Sequence, residues 1–128
     1  MQFQKQEVDL KMIPLLLGLG ALVGGYLVVT NWQEIEGWLK EFLPKLQSTL
    51  KEVGIVDYAA KLFSSVEGNV MRLVHRLYYK ENGKWVEKTT VREIDESEVP
   101  AWAKEGLTAK ESDVTERYEE KLELTVAG

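Results

Sequence analysis

His75 is the only histidine in this 128-residue sequence, and it is the side chain best suited to move a proton near neutral pH. A general base works only within hydrogen-bond reach of the group whose proton it takes. The pattern around His75 instead places it beside Leu73 and Leu77 on one face of a predicted strand, with no nucleophile next to it. We therefore interpret His75 as a residue of the core or its rim, and we predict that the chain is not an enzyme.

Carboxylates and glycines are the remaining candidates for chemistry. Asp95, Glu96 and Glu98 lie close together, as do Glu119 and Glu120, but neither group has the spacing of a calcium-binding EF-hand loop. One histidine and no cysteine provide few ligands for zinc. The glycines between positions 18 and 25 lie in an apolar run rather than after a strand, which is not typical of a phosphate-binding loop. We predict no metal site and no cofactor.

Charge is distributed unevenly along the chain. Residues 1–80 carry 9 Lys and Arg against 8 Asp and Glu, whereas residues 81–128 carry 7 against 13, which accounts for the net charge of −5. A nucleic-acid-binding protein needs a basic surface to neutralise phosphates. The acidic second part of the chain therefore argues against a nucleic-acid partner.

The longest pattern in the sequence is a run of 19 residues without charge, at positions 12–30. As a helix rising about 1.5 Å per residue, this run would be long enough to cross the hydrocarbon core of a bilayer. Asn31 and Trp32 follow it, and indole rings favour the membrane interface. We therefore predict a single-pass membrane protein of undetermined orientation, with a polar tail over residues 1–11 and a transmembrane helix over residues 12–32. A signal sequence and a buried helix are the alternatives.

Small residues cluster on one side of this predicted helix. At about 100° of rotation per residue they share one arc of its surface. The set is Gly18, Gly20, Ala21, Gly24 and Gly25. Small residues four apart let two membrane helices approach closely. Since a single span has no second span in its own chain, we expect a homo-oligomer or a membrane protein partner as well as contact with the lipid bilayer.

Residues 33–67 are predicted to form an amphipathic helical segment. Apolar residues at spacings of three and four predict a first helix over 33–53, with Gly54 as its C-cap and a bend at Pro44. We expect its apolar face, extended by the preceding tryptophan, to pack on protein. The residues of this face are Trp32, Ile35, Trp38, Leu39, Phe42 and Leu46. A second, shorter helix is predicted over 55–66.

Asn82-Gly83 lies between two stretches of alternating apolar and polar residues, which is the strongest short-range signal for a β-hairpin. A two-residue turn at this position places Arg72 opposite Glu93, so that opposite charges meet across the strands. The other face of the hairpin is the predicted core side. It carries Met71, Leu73, His75, Leu77, Tyr79, Val86 and Ile94.

The last segment of the chain has an ambiguous pattern. Leu122, Leu124 and Val126 alternate as in a strand, whereas Asp113 and Glu116 have the spacing of a helix cap. We favour a third strand, because a two-stranded hairpin is marginally stable alone. The predicted fold is therefore an α+β membrane protein with one N-terminal transmembrane helix, amphipathic helices, and a small antiparallel sheet of two to three strands over residues 68–128.

Two classes of function are consistent with these patterns. The first is a single-pass, membrane-anchored structural or assembly protein that self-associates or docks a larger complex through its helices and its small β domain. The alternative is an oligomeric membrane-perturbing effector, such as a pore-forming, holin-like, toxin or defence protein. A pore needs a polar lumen, and residues 12–30 contain no charged residue that could line one, which favours the first class.

Overall fold

The computed structural model describes residues 23–126. Within these residues, five strands and three helices are connected by short turns. The strands are β1 (Tyr26–Val28), β2 (Tyr58–Glu67), β3 (Val70–Glu81), β4 (Lys84–Asp95) and β5 (Ser112–Asp113). The helices are α1 (Trp32–Glu52), α2 (Ala101–Lys104) and α3 (Thr115–Leu122), and a 3-10 turn (Glu96–Glu98) precedes α2.

The sheet is mixed, with the strand order β1-β4-β3-β2-β5. Its centre is an antiparallel meander of β2, β3 and β4. β1 pairs in parallel with β4, and β5 pairs antiparallel with β2. The predicted antiparallel sheet of two to three strands is therefore wrong in strand number and in strand direction. The prediction missed three strands, β1, β2 and β5. β1 and β5 have only 3 and 2 residues, which is too short for an alternating pattern to be recognised.

The β3–β4 hairpin has the predicted register, with Arg72 opposite Glu93. Asn82 and Gly83 have φ values of +54° and +77°, the left-handed conformations that a type I′ turn requires. The predicted core side of the hairpin is also confirmed. Of its residues, Met71, Leu73, His75, Leu77, Tyr79 and Ile94 are buried and Val86 is half-buried.

α1 lies across one face of the sheet and supplies much of the core. Asn31 caps its first turn by accepting the Glu34 N–H (3.1 Å), and Gly54 follows its end with a φ of +81°. The helix continues through Pro44. The residues predicted to pack on protein lie against this chain's own sheet: Trp32, Ile35, Leu39, Phe42 and Leu46 are buried and Trp38 is partly buried.

The described part of the charge-free run is not helical. Gly24 and Gly25 have φ values of +89° and +88°, outside the range of a right-handed helix, and β1 follows them directly. Tyr26 and Val28 are strand-forming residues that gain backbone pairing with β4. Among residues 23–126, no helix is both long and apolar enough to cross a membrane. The prediction of a single-pass membrane protein with a transmembrane helix over 12–32 is therefore wrong. Gly18, Gly20 and Ala21 lie outside the described residues.

Two further secondary-structure predictions are wrong. Residues 55–66 were predicted as a helix, but β2 occupies Tyr58–Glu67, where Ala60, Leu62 and Ser64 alternate into the core. The third strand favoured for the last segment is absent, because Thr115–Leu122 forms α3. In both segments tertiary contacts decide the conformation. β3 pairs with β2 along its length. Tyr118 of α3 packs against the ring of Trp102.

Candidate functional site

His75 lies under α1 in the centre of the sheet. Its side chain is fully buried, and its ring meets the Phe42 ring edge-on at 4.8 Å. Within the described residues neither ring nitrogen has a hydrogen-bond partner. Burial lowers the pKa of the imidazole to about 4, so His75 is neutral near pH 7. A buried ring surrounded by apolar side chains does not reach a substrate, and His75 is a core residue here.

The sheet face opposite α1, which we call the outer face, is covered by its own charged side chains. Three cations of β3 lie over aromatic rings of other strands: Arg72 over Tyr26 of β1 at 5.9 Å, Arg76 over Phe63 of β2 at 4.9 Å, and Lys80 over Trp85 of β4 at 5.9 Å. Beneath them Val74 is only 2% exposed. The long side chains therefore shield an apolar strip with their stems and keep their charges in water.

Carboxylates complete this face. Arg72 donates to Glu93 at 2.7 Å, and Arg76 donates to Glu111 at 2.6 Å. The hydrogen bond from the Tyr26 hydroxyl, followed by that from Arg72, lowers the pKa of Glu93. The same bond raises the pKa of Tyr26. Tyr26 of β1 therefore interacts with residues of both β4 and β3, and this cluster helps to hold β1 on the sheet.

The outer face also has a shallow groove of about 390 Å³, lined by residues that include Arg72, Glu93 and Glu111. These charged groups already satisfy one another or Arg76. Across the described range, no group of three histidine or acidic side chains converges as a metal site. Arg72, Glu93 and Glu111 are therefore engaged within the protein, and Glu67 is the remaining charged residue of the groove lining.

The two edges of the sheet differ in how they are protected. The edge of β2 is covered by β5 and by nearby loops: the Val66 N–H donates to the Thr108 carbonyl (2.8 Å) and the Leu62 N–H donates to the Thr115 hydroxyl (2.9 Å). Among residues 23–126, the strand that covers the opposite edge is β1, which reaches only Val91–Glu93 of the 12-residue β4. No described strand pairs with residues 84–89 of β4 on that side, and we call this stretch the open edge.

The direction of the backbone groups along the open edge follows from the pairing with β1. The Val91 N–H donates to Gly25, and the Glu93 carbonyl accepts from Val29, so odd-numbered residues of β4 point away from β3. The β3–β4 ladder has no bulge, so this alternation extends along the strand. The N–H and C=O groups of Trp85, Glu87 and Thr89 therefore point out from the sheet.

Large apolar side chains flank the open edge. Trp85 is 61% exposed. Tyr26, Leu27 and Val28 of β1 are each more than half exposed. An uncovered strand edge with exposed apolar side chains is a site to which another chain can pair.

The sequence predicts the hairpin that contains this site, but it does not predict that one strand of the hairpin has an open edge. Asn82 and Gly83 were predicted as the hairpin turn, and they form the turn that adjoins the open edge. The alternating pattern of residues 84–95 predicts a strand, but it does not reveal whether that strand is central or lies at an edge. The exposed Trp85 beside charged residues was the one available signal of an interaction surface.

Comparisons of this chain with protein-family models, with curated proteins and with solved structures found no match.

Proposed function

We propose that this protein is an assembly module that docks a larger complex by accepting an extended segment of a partner at the open edge of β4. The observation that carries this proposal is the run of outward-pointing backbone groups at Trp85, Glu87 and Thr89, with which no strand in the described range 23–126 pairs. Strand addition of this kind derives its affinity from main-chain hydrogen bonds and its specificity from alternate side chains.

The surroundings of the open edge support this role. About six residues of strand span roughly 20 Å, which is sufficient for a short peptide strand. Trp85 and Tyr26 offer large aromatic surfaces, a residue type enriched in the energetic centres of protein interfaces. The edge of β2, in contrast, is occupied by its own chain.

The other functions considered from the sequence have less support. No observation on residues 23–126 favours a pore-forming effector, and we do not propose one. The only histidine is enclosed in the core, so its imidazole is not accessible as an acid–base group.

The proposal is tested by selecting heptapeptides from a random displayed library against the immobilised chain and mapping them by amide NMR shifts. Selected peptides are expected to shift the amides of Trp85, Glu87 and Thr89. Glu87→Pro removes one outward N–H, which edge strands tolerate, and should abolish binding. Glu87→Gln is the matched control, since it changes the same side chain but keeps the N–H and should bind normally.

Two results would contradict the proposal. One is a selection in which every binder shifts residues away from the open edge. The other is equal binding to the wild type and to a folded Glu87→Pro variant.

A further inference from the structure

Two lysines without an ion-pair partner among the described residues lie on the open edge. Lys84 and Lys88 are exposed on the side of β4 that faces α1, and neither forms an ion pair with any residue from 23 to 126. Glu81 lies opposite Lys84 in the hairpin, yet no ion pair joins them. Glu87 points to the outer face, where Arg76 (3.9 Å) and the Thr89 hydroxyl (3.1 Å) already hold it.

The geometry of strand pairing predicts which type of partner side chain would lie next to these lysines. A side chain opposite Val86 on an added strand lies on the α1 side, diagonal to both Lys84 and Lys88. A carboxylate at that position would meet two cations. On the outer face, the neighbouring side chain of the added strand would contact the exposed ring of Trp85, which favours an apolar residue.

A second copy of this chain fits the same edge poorly. Antiparallel pairing about Val86 places Lys84 opposite Lys88 of the second copy, and pairing about Glu87 places two glutamates opposite each other. Pairing about Trp85 runs into the turn at Asn82, which is not extended. Like charges directly opposite one another destabilise a strand pair.

We propose that the occupant of the open edge is an extended acidic segment of another protein, with carboxylates toward Lys84 and Lys88 and apolar side chains toward Trp85. This inference rests on the proposed function and names the chemistry of its partner. The net charge of −5 repels acidic peptides at long range, so attraction of such a segment has to come from Lys84 and Lys88.

Two capped heptapeptides test the inference by titration against the full chain, followed by amide NMR shifts. The first has the sequence Thr-Val-Glu-Val-Glu-Val-Thr, and the second replaces both glutamates with lysine. The glutamate peptide is expected to shift the amides of Trp85, Glu87 and Thr89 and to bind at least about ten-fold more tightly than the lysine peptide. Raising the salt concentration should reduce this difference.

Charge-reversal variants provide the matched comparison. Lys84→Glu with Lys88→Glu should reverse the preference between the two peptides. Lys110→Glu with Lys121→Glu is the control, because these exposed lysines make no ion pair with the described residues and lie outside β4. The control should leave the preference unchanged.

The outcomes separate the two proposals. Equal binding of both peptides at the open edge would overturn the acidic partner and leave strand addition standing. The amides of the open edge could instead shift with protein concentration alone, and Glu87→Pro could remove these shifts. That result would overturn the acidic partner in favour of a second copy. If neither peptide shifts the edge amides and the library selection yields no edge binder, strand addition itself fails.

Discussion

At the scale of the residue, three side chains in the described part of the chain have buried polar atoms that make no hydrogen bond: His75, Tyr118 and, with one carboxylate oxygen, Glu81. His75 has both ring nitrogens without a partner, and the hydroxyl of Tyr118 is likewise unpaired. Leaving a buried polar group unsatisfied costs free energy, so packing has to offset this cost. His75 packs edge-on against Phe42, and Tyr118 packs against Trp102 at 5.2 Å.

His75 has a pKa of about 6.5 in the unfolded chain and of about 4 in the folded protein. The stability of the protein should fall as the pH is lowered between these two values. The unfolded imidazole takes up a proton below about pH 6.5, whereas the folded one stays neutral down to about pH 4. The unfolded state therefore binds more protons, and the contribution of His75 to the free energy of unfolding decreases from about pH 6.5 and levels off below about pH 4. The full loss from His75 is about 3 kcal/mol. Urea unfolding at pH 7.5 and 4.5 measures most of this loss.

His75→Leu is the control for this pH dependence. It removes the titrating group and both unpaired nitrogens, so the variant should lose most of the decrease between pH 6.5 and 4.5. Carboxylates with lowered pKa, such as Glu93 and Glu111, still contribute at lower pH in both proteins. A folded variant with an unchanged pH dependence would contradict the role assigned to His75.

Removing the unpaired hydroxyl should be harmless. Tyr118→Phe is expected to leave the free energy of unfolding unchanged or to raise it by up to about 1 kcal/mol, because no hydrogen bond is lost. Thr115→Val is the matched comparison, since the Thr115 hydroxyl accepts the buried Leu62 N–H at 2.9 Å. That variant should lose about 1–3 kcal/mol in urea unfolding. Similar losses for both variants would show that Tyr118 has a partner after all.

At the scale of the element, β1 and α1 are held on the sheet in different ways. β1 has 3 residues, its side chains are exposed, and it is held by parallel pairing to β4 and by the Tyr26–Glu93–Arg72 cluster. α1 is held by an N-cap at Asn31 and by an apolar face buried on the sheet. The open edge continues along β4 from the three residues that pair with β1.

The ion pair between Arg72 and Glu93 should contribute measurably to the β3–β4 hairpin. Reversing the charge of either residue alone is expected to cost about 1 kcal/mol, because like charges then meet across the strands. The double reversal, Arg72→Glu with Glu93→Arg, should recover part of this loss. Urea unfolding of the four proteins gives the coupling energy. Purely additive effects would contradict a direct pairing.

At the scale of the whole molecule, a single core connects the described residues from end to end. Val23 and Val29 near β1, the apolar face of α1, the inner side of the sheet, and Val126 belong to one buried cluster. The end of the described range is also fastened to α1, since Gln47 donates to the Thr125 carbonyl at 2.6 Å. Segments far apart in the sequence therefore depend on one another for burial.

We expect residues 23–126 to unfold in one cooperative transition, as small domains with a shared core do. Tryptophan fluorescence reports on α1 and α2 through Trp32, Trp38 and Trp102 and on β4 through the exposed Trp85, whereas far-ultraviolet circular dichroism reports on all secondary structure. The two probes should give the same urea midpoint. Separate midpoints would mean that the helices and the sheet unfold independently.

Local chemistry in the sequence was sufficient to predict α1 and the β3–β4 hairpin. The hairpin turn requires two residues that tolerate positive φ, and Asn82-Gly83 supplies them. The apolar spacing of α1 requires only neighbouring residues to be compared. The tertiary structure decided the rest: a run without charge ends as the parallel strand β1, residues 58–67 extend because β3 pairs with them, and β4 lies at an open edge. The strand pairs lie 3 to 21 positions apart in β2–β3 and 65 positions apart in β1–β4. A short window of sequence gives no signal for such pairing, since it depends on contacts outside the window.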